Sequence, residues 1–92
     1  MLWRMPGSGD PAARLLDVTV AEIAEALEAP AQDQLRHYLG DELMAVYSIT
    51  GERRALAVVL YRDDDSFVWR VAAAKPMTAH EFETWLGRAT HD

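Results

Sequence analysis

The run "ALAVVLY", residues 55–61, is the longest unbroken apolar stretch in the chain. It is far too short for a membrane helix, which needs roughly 20 residues, and its β-branched and aromatic content suits a strand. It shows no polar alternation. A strand that is apolar at every position belongs at the centre of a sheet, with a layer packed on each face. A chain of 92 residues has room for one such core, burying roughly 60–65% of the surface that its unfolded form exposes.

The neighbouring segments supply the rest of the sheet. "LMAVYSI", residues 43–49, is joined to the central run by "TGERR", where Gly51 can give a tight hairpin its positive backbone angle. On the other side "RDDDS" turns the chain into "FVWRVAAA", residues 67–74, with Phe67, Trp69 and Val71 on one face and Val68, Arg70 and Ala72 on the other. Links this short favour an antiparallel meander.

Two segments read as amphipathic helices. In "DVTVAEIAEALEAP", Thr19 and Glu22 form a capping box, Val18 staples onto Ile23, and Val20, Ile23, Ala24 and Leu27 make an apolar stripe that Pro30 ends. In "MTAHEFETWL", Thr78 and Glu81 form the box, Met77 and Phe82 the staple, and Phe82, Trp85, Leu86 and Ala89 the stripe. Between the first helix and the first strand of the meander, Leu35, Tyr38 and Leu39 have helical spacing and Gly40 sits as a C-cap, which predicts a short second helix. A loop with strand character is the competing reading. Residues 1–16, with Pro6, Gly7, Ser8, Gly9, Asp10 and Pro11, read as a loose arm from which Trp3 docks on the body or on a partner subunit. The expected fold is α+β: an antiparallel meander of three or more strands, with an N-terminal helix or helix pair and a C-terminal helix packed on it. Residues 17–92 form a single domain.

Composition narrows the function. There is no cysteine, so disulfides and thiolate-bound zinc are excluded and a cytosolic setting fits. No signal peptide or membrane span is evident. The net charge is −6: residues 1–52 hold three Arg and nine acids, while residues 53–92 hold six basic and six acidic residues. A general nucleic-acid coat protein is usually basic and is not expected here. His37, His80 and His91 are too scattered for a ligand set, and the His80–Glu81 pair lacks the second His of a zinc helix, so neither metal nor cofactor is expected. No serine lies in a nucleophile elbow.

The polar groups that remain are Arg53, Arg54, Arg62, Arg70, Lys75, Arg88, the three histidines, Glu81 and Glu83. The stretch "ALAVVLYRDDDSFVWRVAAAKPMTAHEFETW" resembles the C-terminal half of BrnT-type toxins, the small RelE-like ribonucleases of bacterial toxin–antitoxin pairs. Ala73, Ala74, Lys75, Met77, Thr78, Glu81 and Trp85 carry the resemblance, which extends from about Asp17 to Trp85. Lys75 stands where the family usually has Arg, and Trp85 where it has Tyr. The family's N-terminal strand and helix are not reproduced in residues 1–16.

The resemblance implies metal-independent RNA cleavage. Such a reaction needs a base for the 2′-hydroxyl, cations for the pentacovalent phosphate and an acid for the leaving oxygen. Arg54, Arg70 and Lys75 would supply the charge and His80 or Glu81 would move the proton, with RNA as substrate and an antitoxin as partner. Each residue also has a structural reading: Arg70 as a solvated or ion-paired strand residue, Lys75 as a strand end, Glu81 as a cap. The alternative is a non-catalytic binding module, a degenerate toxin, regulator or inhibitor, which pairs with a basic partner through Glu22, Glu25 and Glu28. A homodimer joined at a strand edge, with Trp3 or Tyr47 at the seam, is compatible with either. Catalysis requires Arg54, Arg70 and Lys75 to converge on one open face; a binding module leaves them dispersed.

Overall fold

A computed structural model describes residues 2–4, 14–62 and 68–87. In chain order the elements are β1 (Leu2–Arg4), β2 (Arg14–Leu15), α1 (Val20–Leu27), a 3₁₀ turn (Ala31–Asp33), β3 (Leu35–Tyr38), β4 (Leu43–Ile49), β5 (Ala55–Arg62), β6 (Val68–Pro76) and α2 (Ala79–Gly87). The fold is α+β. One sheet runs β1-β6-β5-β4-β3, with β2 also pairing β6. The expected meander is β4-β5-β6, antiparallel throughout, and β3 extends it antiparallel on β4. β1 and β2 share the other edge and run parallel to β6, which makes the sheet mixed.

Three local expectations are corrected. The segment read as a second helix is the 3₁₀ turn followed by β3, so its strand character prevails. Leu35, Tyr38 and Leu39 have helical spacing, but Leu35–Tyr38 also satisfies pairing with Tyr47–Met44 of β4, and the ladder wins. Within the region read as a loose arm, Leu2–Arg4 and Arg14–Leu15 are strands, and Trp3 lies opposite Trp69, half-buried against the core. The positive backbone angle of the β4–β5 turn belongs to Arg53, at φ 68°, and not to Gly51. A Cβ at Gly51 would lie 2.9 Å from a Glu25 carboxylate oxygen, the tip of an exposed side chain that can swing aside.

Each helix covers one face of the sheet. Ile23 and Leu27 of α1 pack on Met44, Val46, Val58, Leu60, Trp69, Val71 and Ala74, with Trp3, Leu15 and Val18 at the margin. Burying a side chain of this size contributes about 1.5–3 kcal/mol, more than the roughly 1 kcal/mol of a cap, so packing dominates the docking of α1. The stripe is rotated from the one read in sequence: Ala26 is buried with Ile23 and Leu27, whereas Val20 is 52% exposed. Both capping boxes form as read. Thr19 and Glu22 exchange hydrogen bonds at 3.2 and 2.9 Å, Thr78 and Glu81 at 3.1 and 2.9 Å.

At its other end α1 has no glycine cap. The buried Gln34 amide serves instead, donating to the carbonyls of Ala26, Leu27 and Ala29 at 2.9–3.1 Å. Trp85 of α2 donates its indole N–H to the Asp33 carbonyl at 2.9 Å, which fastens α2 to the same turn. Of the stripe expected on α2, Trp85 alone is buried; Phe82 stacks on it while 39% exposed, Leu86 is 48% exposed, and Ala89 lies outside the described residues.

A β-bulge decides where β6 aims its side chains. Val59 pairs Ala73 but Leu60 pairs Val71, so Ala72 is the extra residue. Before it Trp69 and Val71 face α1; after it Ala74 does. The alternation read for Val68 to Ala72 holds up to the bulge and then inverts. Lys75 consequently shares the α2 face with Arg70.

Two outcomes follow for stability in equilibrium urea unfolding. Gln34→Ala leaves buried helix-end carbonyls without donors and should lower stability by about 1–3 kcal/mol. Arg53→Gly relieves a left-handed backbone and should raise it by up to about 1 kcal/mol.

Candidate functional site

The five residues that carry the catalytic expectation fall into separate places. Arg54 precedes β5 on the α1 face and is fully engaged there. Its guanidinium donates to both Glu22 carboxylate oxygens at 2.9 and 2.7 Å, to the Asp17 carboxylate at 3.3 Å and to the Asp17 carbonyl. The Arg54 hydrogen bonds, with help from the Thr19 N–H, hold the Glu22 carboxyl below the usual carboxylate range, and Glu22 in turn raises the Arg54 guanidinium. Of the acidic helix face, then, Glu22 is committed to holding α1 on the β4–β5 turn, while Glu25 and Glu28 are exposed.

Lys75, on the opposite face, donates to Glu81 at 2.5 Å, and the same carboxylate oxygen accepts the Thr78 N–H at 2.9 Å. Burial pushes the Glu81 carboxyl up, but Lys75 and the Thr78 N–H together outweigh it and hold the group below its ordinary range. Lys75 and Glu81 are thus brought together as an ion pair at the start of α2. Arg70 shares their sheet face, half-buried and opposite Tyr61, with no ion-pair partner among the described residues. It lies about 13–16 Å along β6 from Lys75 at the strand's rise per residue. His80 is exposed at the start of α2. Arg88 and His91 lie outside the described residues.

Beside the Lys75–Glu81 pair is a recess of about 170 Å³, lined by Leu16, Ala45, Tyr47, Ala57, Val59, Ala73, Lys75 and Glu81 among others. Its origin is a patch of small side chains. Register sets Ala45, Val59 and Ala73 in one cross-strand row and Tyr47, Ala57 and Lys75 in the next, so Ala45 and Ala73 flank Val59 and Ala57 sits in the adjoining row. The larger neighbours form the walls. Apart from the ion pair and the Tyr47 hydroxyl the lining is apolar, and Leu16 on the rim is 60% exposed. The volume is below the roughly 300–1,000 Å³ of small-molecule sites, and fits a single large apolar side chain better than a free ligand.

Sequence reading picked out Lys75 and Glu81 but missed the recess around them. The alanines were visible, but their adjacency depends on register and on the bulge at Ala72. A second depression of about 440 Å³, between α1 and the β4–β5 turn, is lined by Glu25, Asp33, Thr50, Gly51 and Arg53 among others and is widely open to solvent. Among the described residues no three His, Asp or Glu side chains are grouped to hold a metal ion. None of the helices described is long and apolar enough to cross a membrane.

Comparison with protein families, with characterised proteins and with solved structures finds no significant match to this chain.

The two capping glutamates fix the sign of the acid response. Both carboxyls sit lower in the folded chain than in the unfolded one, near 4.3. Their contribution is therefore complete above about pH 5 and is lost as pH falls through the folded values. Urea unfolding followed from about pH 7 down to pH 3 should show falling stability below about pH 5. Glu81→Gln should flatten part of that slope, and an unchanged slope would rule out the assignment.

Proposed function

We propose that this chain is a non-catalytic protein-binding domain on a body resembling that of BrnT-type toxins. Its partner is a protein, an antitoxin or comparable regulator, that inserts a large apolar side chain into the recess on the α2 face. The observation that carries this reading is the recess itself: apolar, of side-chain size, rimmed by an ion pair whose two charges already satisfy each other. A site built to stabilise a phosphorane needs several cations aimed at one point. Arg54 and Lys75 are on opposite faces and each is neutralised by a capping glutamate, so neither is available for that work. The partner surface also moves from where the sequence put it, since Glu22 of the acidic helix face is occupied by Arg54.

One observation favours a second reading. Lys75, Glu81 and Arg70 share a face that α2 only partly covers, and a metal-independent ribonuclease would use Glu81 to move the proton and the two cations to bind phosphate.

The readings separate in one experiment: inducible expression in bacteria of the intact chain, Lys75→Ala and Ala73→Leu, with growth and bulk RNA scored together and co-purifying protein recovered from each strain. The binding reading expects normal growth and intact RNA in all three. It also expects a co-purifying protein that Ala73→Leu, which fills the recess, loses by about tenfold or more. Growth arrest with RNA loss from the intact chain, relieved by Lys75→Ala, would establish the ribonuclease and overturn the binding reading.

A further inference from the structure

The outer edge of β3 is a surface that the recess reading does not use. β3 ends the sheet, and among the described residues no strand pairs with its outer side. The Leu39 N–H donates to the Leu43 carbonyl at 2.9 Å, and β3 pairs β4 with Leu35 opposite Tyr47 and His37 opposite Ala45. Antiparallel ladders alternate, so Leu35, His37 and Leu39 turn their backbone groups toward β4. The N–H and C=O groups of Arg36 and Tyr38 point outward and meet no strand among the described residues.

Two further features bear on what this edge accepts. Its end is apolar: Tyr38 is 62% exposed, Leu39 52% and Leu43 39%. Tyr38 also sets its ring edge-on to Trp69 at 6.4 Å between centroids, which holds the end of β3 against the core. The centre of the strand carries one cation, Arg36. Arg36 bonds the neutral Gln34 side chain at 3.2 and 3.3 Å, so its charge is not cancelled, and His37 is exposed beside it. The nearby acids, Asp41 and Glu42, belong to the turn beyond Leu39.

A second copy pairing antiparallel with Arg36 opposite its own counterpart would set two guanidinium groups together, which disfavours that register. We infer that the β3 edge binds, by strand addition, an extended segment of another protein that carries acidic side chains opposite Arg36 and His37 and an apolar side chain at the Tyr38–Leu39–Leu43 end. The backbone bonds supply binding and the side chains supply choice, as in other strand-addition complexes.

The probe is a short capped peptide alternating Glu and Val, titrated into the isotope-labelled full chain and followed by backbone amide NMR, with a Lys–Val peptide as counterpart. Shifts should concentrate at residues 35–39, weaken as salt rises, and be absent with the Lys–Val peptide. Arg36→Pro removes the outward donor without touching the β4 ladder and should weaken binding by about tenfold or more. Arg36→Gln keeps the donor, should cost a few-fold and should reduce the salt dependence; it decides the matter if the proline variant fails to fold. Ala73→Leu should leave the titration unchanged, which separates this edge from the recess.

Equal response to both peptides, no response at residues 35–39, or loss on Ala73→Leu would overturn the inference. So would concentration-dependent shifts at residues 35–39 without peptide, which would make the occupant a second copy.

Discussion

The structure depends on one requirement: β5 must be kept from water on both faces. Leu56, Val58 and Leu60 face α1 and are fully buried, and Ala57, facing α2, is 4% exposed. The two covers are unequal. α1, with its connecting segments and Trp3, closes its face along the strands. α2 has nine residues, about 13 Å, against roughly 26 Å for the eight residues of β5. The recess is where the second cover runs out, and the alanines beside it keep the uncovered area small.

The two helices are attached to the sheet by the same device. Each begins with a Thr–Glu capping box, and in each the glutamate also accepts a cation projecting from the sheet, Arg54 for α1 and Lys75 for α2. Pairs as exposed as these contribute about 0–1 kcal/mol, well below the packing of Ile23, Leu27 or Trp85. They set the angle at which a helix meets the sheet more than they set stability. This shared role explains why sequence reading grouped Arg54 and Lys75 with Arg70 as candidate cations for a phosphate: a cation near a strand end looks the same whether it awaits a phosphate or a carboxylate, and the carboxylate that Arg54 meets, Glu22, is 32 residues away.

What was legible in the sequence was local. The capping boxes need only four residues each, and the meander needs only apolar strands with short links, so both were read correctly along with the α+β class. The 3₁₀ turn and β3 were not, because Leu35, Tyr38 and Leu39 satisfy a helical period and a strand equally over so short a span. Gln34 as a helix cap was invisible for another reason. It reaches back five to eight residues to carbonyls that only the folded turn brings near. The candidate site fared in the same way: Lys75 and Glu81 are six residues apart and were found, whereas Ala45, Ala57 and Ala73 come together only through strand register.

That register gives the bulge at Ala72 an importance out of proportion to an alanine. It acts as a phase step in the two-residue alternation of β6, and everything after it is half a period out from everything before. Ironing the bulge out with every residue kept would pair Ala72 with Val59, Ala73 with Val58, Ala74 with Ala57 and Lys75 with Leu56, and so exchange the faces of Ala74 and Lys75. An ammonium would then enter the layer beneath α1, at a cost of several kcal/mol, and Glu81 would be left without its cation. Substitutions along β6 are felt one side chain at a time, but a change in its register is felt by both layers of the protein at once. Divergence in this segment should therefore keep Ala72 and the bulge together or lose them together, so that Trp69 and Lys75 stay on opposite faces.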